Sequence, residues 1–139
     1  MERRDLIQDQ IEKLGAVLAK MLTKILSLKS QGQAYESIQI VNQDLKDELG
    51  IEDFLMLNID EFQVLLEKNQ NFNSDNLEKL ANNLILIAED LEAEKSENLY
   101  KKSLKILELV NKKDLTYSHE RFAKMKNIES ILLRLTRWV

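Results

Sequence analysis

The chain has no cysteine and no proline, and only three glycines and one histidine among 139 residues. Without cysteine there is no disulfide, no thiolate metal site and no cysteine nucleophile. A zinc site of the usual kind is excluded too, because His119 has no second histidine to join it. Average usage would supply about seven prolines. Proline breaks helix interiors by removing a donor and clashing with the preceding turn, so its absence suits a chain that is helical almost throughout. Polar residues interrupt the N-terminal stretch every two or three positions, which is wrong for a signal peptide or a membrane span. Gly15, Gly32 and Gly50 stand too far apart for a phosphate-cradling loop. These absences lead to an all-α, cytoplasmic protein with no membrane segment, no metal and no cofactor.

The net charge of −4 is unevenly spread. Residues 1–30 carry a net +2, residues 31–94 a net −12 and residues 95–139 a net +6. Separation of this kind shapes long-range association. Its simplest reading is that the acidic middle faces the basic end, within the fold or between subunits.

Residues 1–50 predict a first helical hairpin. Ile7, Ile11, Leu14, Leu18, Met21, Ile25 and Leu28 are spaced alternately four and three apart, a coiled-coil seam over three heptads. Leu6, Val17, Leu22 and Leu26 add a second apolar stripe, and Gly15 with Ala19 would let another backbone come close. Gly32 and Gly50 are natural left-handed stops, and they bracket a helix from about Gln33 to Leu49. Residues 51–73 predict an insertion with a short turn near 52–57, a helix over 59–68 opened by a capping box at Asn58–Glu61, and a polar mobile loop from Asn69.

Residues 74–139 predict three more helices. The first is capped by Ser74 or Asp75 and carries Leu77, Leu80, Leu84, Ile87 and Leu91, which makes it the most buried. A break is expected near Ala93–Ser96, a helix then reaches about Asn111, and a last one spans about Thr116–Arg137. Trp138 is expected to tuck onto the last helices or into a subunit contact.

Little here suggests catalysis. His119 is expected on the surface, and no nucleophile elbow accompanies it. Asp44, Asp47 and Glu48 share one side of the second helix, but neither EF-hand nor Glu-x-x-His spacing is present. The acidic groups read as caps and solvated runs, and no enzyme is expected.

Ser96, Tyr100 and Ser103 are spaced four and three and are followed by Leu104. That small–aromatic–small–aliphatic order resembles the second helix of a tetratricopeptide unit, with Leu80, Leu84 and Ile87 in large-residue places of the preceding helix. The turn and helix opening Gly32-Gln33-Ala34-Tyr35-Glu36-Ser37-Ile38 resembles such a unit too. Leu84 and Asp44 occupy places that normally take small residues, the closing proline is absent, and Ser37 and Ser96 lie 59 residues apart where the repeat has 34. The order of the first sixty residues is similar to uncharacterised bacterial all-α proteins of tetratricopeptide type. The resemblance implies a helical-repeat fold and carries no particular activity.

The expected function is therefore a non-enzymatic interaction module that binds a protein or peptide and pairs with itself as a homodimer. Its candidate face is Ile7, Ile11, Leu14, Leu18, Met21 and Ile25. The alternative is nucleic-acid binding through Lys101, Lys105, Lys112, Lys113 and Lys124, although the chain as a whole is acidic and no nucleic-acid motif is legible. Whether the first helix is covered by residues 51–70 or by another subunit stays open at this point.

Overall fold

The computed structural model describes residues 2–137, with side chains from 5 to 135, so Trp138 lies outside the described residues. Six α-helices follow one another: α1 (Glu2–Ser30), α2 (Ala34–Leu49), α3 (Ile59–Lys68), α4 (Ser74–Ala88), α5 (Ala93–Lys113) and α6 (His119–Arg137), with a 3-10 turn at Phe54–Met56. No strand occurs among the described residues. The fold is all-α, as expected from the sequence.

The two glycine stops act as expected. Gly32 and Gly50 have φ of 71° and 70°, a region that other residues enter at a cost. The Gly50 amide donates to the Lys46 carbonyl and ends α2. The capping box at the start of α3 is formed by Asn58 and Glu61. At α4 the cap is Asn73, whose side chain accepts from the Asn76 amide; Ser74 is already helical. The break between α4 and α5 lies at 89–92, upstream of its expected place. Ser96 is helical: its amide donates to the Glu92 carbonyl, and its hydroxyl reaches back across the break to the Ala88 carbonyl at 2.8 Å.

The principal packing is α1 on α2 and α4, α4 on α5, and α5 on α6. One core runs through all of these, from Leu14 to Ile128. Along α4, Asn76 donates to the Ile11 carbonyl at 2.9 Å and Asn83 to the Leu18 carbonyl at 3.2 Å, each 65 positions away. The constant offset makes α1 and α4 parallel. Gly15 stands between these contacts, and a Cβ there would lie 3.0 Å from the Asn76 Oδ1. The glycine permits this close crossing.

The hairpin turns are stitched together as well. Lys29 reaches the Leu86 carbonyl and the carboxylates of Glu89 and Asp90. Lys95 lies 3.9 Å from the centre of the Tyr35 ring, whose hydroxyl meets Glu92. The insertion does not cover α1: its 3-10 turn packs on α2 and α3 on α5. Phe54, Phe62 and Phe72 are fully buried, with ring centres 5.1 and 6.5 Å apart. The segment after α3, expected to be mobile, is pinned by Phe72, by Asn76 on the Asn71 carbonyl and by Lys113 on the Phe72 carbonyl.

Candidate interaction surface

The α1 seam is closed by the chain itself. Leu14, Leu18, Met21 and Ile25 are at most 1% exposed and belong to the common core. Ile7 and Ile11 are half-buried. Four of the six residues expected to form a partner face are thus inaccessible in the folded chain, because α2 and α4 bury them first. What α1 leaves outside is the second stripe, with Leu6 and Leu26 exposed and Val17 and Leu22 half-buried.

The lysines expected to form a basic face do not make a free one. Lys101 pairs with Glu97, Lys105 with Glu108, and Lys124 with Glu120 and the Asn82 side chain. Lys113 is spent on the Phe72 carbonyl, while Lys112 is exposed. Charge of both signs alternates along this surface of α5, which is not the unopposed stripe that phosphate binding favours. The acidic side of α2 is likewise mixed, with Asp44 paired to Lys24. Among the described residues no three His, Asp or Glu side chains converge to hold a metal ion.

Among the described residues two cations are buried, and both are committed to structure. Lys102 is 1% exposed; it donates to the Leu55 carbonyl at 2.7 Å and to Asn98 at 2.9 Å. Burial away from water pulls its pKa down from the ordinary 10.5 to about 8. It fastens the 3-10 turn of the insertion to α5. Arg121, 6% exposed, donates to Asn111, to Glu78 and to the Thr116 carbonyl at 2.7–2.9 Å. It therefore ties α6 to α4 and to the turn before α6.

That turn carries the feature missed in the sequence. Leu115, Tyr117 and Phe122 are 91%, 63% and 49% exposed. His119 stands edge-on to Tyr117 at 4.9 Å, and Phe122 lies 6.1 Å from the same ring. Below them a shallow hollow is lined by Asn111, Asp114, Thr116 and Arg121. The frame is fixed: Asp114 accepts from the Thr116 amide and Ser118 from the Arg121 amide. The available signal was a turn, 114–118, that contains Leu115 and Tyr117 where polar residues normally suffice. Exposed tyrosine and phenylalanine on a rigid support are the residue types that anchor protein contacts.

No family model, curated protein or solved structure matches the chain.

Proposed function

We propose that the chain is a non-enzymatic, tetratricopeptide-like interaction module that binds a protein partner through the α5–α6 turn. The observation that carries this reading is the exposed cluster of Leu115, Tyr117, His119 and Phe122 on a frame braced by Arg121. Large apolar side chains left in water on a braced turn are most simply explained by a surface that covers them.

Three further features support the helical-repeat part. Ser96, Tyr100 and Ser103 are buried, so small residues let α5 lie close to its neighbours around one aromatic. The first helix of the second hairpin, α4, packs on both helices of the first. The distance between Ser37 and Ser96 is lengthened by the insertion, which sits outside the α1–α4 contact.

The ionisable groups speak for binding over catalysis. Lys102 and Arg121 direct their N–H groups at carbonyls, Asn side chains and Glu78, and the single histidine is exposed among aromatic rings. The test is a photo-crosslinking amino acid at position 117, with a second at Lys13 on α1 as an exposed control, in cells that make the full chain. Protein adducts specific to position 117 support the reading. Identical patterns at both positions would remove it.

A further inference from the structure

The exposed turn has a definite chemistry, and the same chain carries its complement. From Lys112 to Lys126 the turn and the start of α6 are net basic, with Lys112, Lys113, Arg121, Lys124 and Lys126 against Asp114 and Glu120. Lys112 and Lys126 are exposed, and the Lys126 ammonium lies 5.5 Å from the Phe122 ring centre and 3.7 Å from Glu129. Such a surface fits an apolar patch with an acidic rim. From Asp47 to Glu67 there are seven acidic residues and no basic one. Among the described residues only Glu52 of these seven makes an ion pair, and that one with Lys46 at 3.5 Å. Within this acidic stretch Met56 and Val64 are 75% and 48% exposed.

We infer that the occupant of the α5–α6 turn is a second copy of this chain, docked through the acidic insertion that contains Met56 and Val64. The inference rests on the reading of the turn as a docking surface and names its partner. Charge complementarity carries it: the two surfaces lie on the −12 and +6 segments of one sequence, and among the described residues six of the seven acids from Asp47 to Glu67 make no ion pair within the chain. Position adds to it. The Lys113 ammonium meets the Phe72 carbonyl at 3.1 Å, and the Phe72 ring stacks 6.5 Å from Phe54. The basic turn and the acidic insertion therefore border one end of the molecule. A two-fold axis at that end brings each turn onto the partner's insertion, making the same contact twice, as closed dimers do. Opposite charges at the rim would fix the register and speed the encounter.

The experiment is sedimentation of the full-length chain across concentration and salt, with two charge-reversed variants. One carries Lys112→Glu and Lys126→Glu; the other carries Glu52→Lys and Glu67→Lys. All four positions are exposed, so circular dichroism should report an unchanged fold for both. The wild-type chain is expected to dimerise, with affinity falling roughly tenfold or more as salt rises from low to high ionic strength. Each variant alone should be monomeric, and an equimolar mixture should recover a dimer, because both contacts become attractive again. A strictly monomeric wild type overturns the inference, as does a dimer that neither variant weakens. A monomer whose position 117 still crosslinks a different protein in cells would leave the interaction module standing and remove the second copy.

Discussion

Asn83 donates its side-chain amide to the Leu18 carbonyl seven residues beyond the point where Asn76 meets Ile11, so one heptad separates the contacts on both helices. Two buried asparagines in a mostly aliphatic interface hold α1 and α4 in parallel register. A slip of either helix would leave their amides without partners in an apolar setting, which makes the register specific at the cost of some hydrophobic contact.

The two asparagines should differ in weight. Asn76 also donates to the Asn71 carbonyl and so pins the loop before α4, whereas Asn83 has one bond of 3.2 Å. Asn76→Leu is expected to destabilise by about 2–3 kcal/mol and Asn83→Leu by about 1 kcal/mol or less. Urea unfolding of the two variants measures the difference. Equal losses would mean that the Asn71 contact contributes nothing.

Substitution along α1 should separate core from rim. Leu18→Glu places a charge at a site that is 1% exposed, and the chain should fail to fold cooperatively. Ile11→Glu sits at the half-buried end of the seam, and a loss of about 1–2 kcal/mol is expected. Thermal unfolding checks both, and a folded Leu18→Glu protein would mean that the seam is not the core.

Much of this architecture was legible in the sequence, because local rules govern it. Two left-handed glycines, a capping box and four-three spacing gave the helices α1 to α3 nearly to the residue. What covers α1 was not legible. Its seam states only that Leu14 to Ile25 need burial; α4, which supplies much of it, lies 65 positions away, and the insertion between them is a nearer candidate in sequence than in space. The roles of Asn76 and Asn83 are hidden in the sequence for the same reason, since a polar residue on an apolar helix declares its partner only once the neighbour is in place. Phe72 was the clue to the pinned loop: a lone phenylalanine among asparagines has more to gain from burial than from water. The turn carrying Leu115 and Tyr117 broke the usual polarity of turns, and that break marks the candidate site.

Lys102 gives the molecule a pH dependence of definite sign. Its folded-state pKa is about 8, against an ordinary value of 10.5. Between those values the unfolded chain holds more protons than the folded one, so stability rises with pH through the window. The gain attributable to this group across the whole window is on the order of 3 kcal/mol. Lys102→Met removes the buried ammonium but leaves the Leu55 carbonyl without its donor, two effects that offset each other near neutrality. The variant should match the wild type at pH 7 and fall behind it at pH 10. Parallel stability curves for the two proteins would mean that Lys102 keeps an ordinary pKa.

Arg121 should control the turn that presents Tyr117. Its guanidinium makes three bonds in three directions: to Asn111 at the end of α5, to Glu78 on α4 and to the Thr116 carbonyl within the turn itself. A lysine reaches at most part of this set, because a single ammonium cannot reproduce the planar fork. Arg121→Lys is therefore expected to cost about 1–2 kcal/mol and Arg121→Ala about 2–4 kcal/mol, the latter leaving Glu78 and Asn111 without their shared partner. Global stability alone would not separate a bracing role from ordinary packing. Amide exchange does: the Asp114 and Thr116 amides, the hydrogen-bonded ones of the turn, should lose protection in Arg121→Lys while the core of α4 keeps it, since only the turn depends on the Thr116 contact. If binding at position 117 weakens in step with that loss, the arginine acts by holding Tyr117 and Phe122 in place before a partner arrives. If the turn stays protected, the Asp114 and Ser118 contacts suffice to hold it, and Arg121 serves only to join α6 to α4.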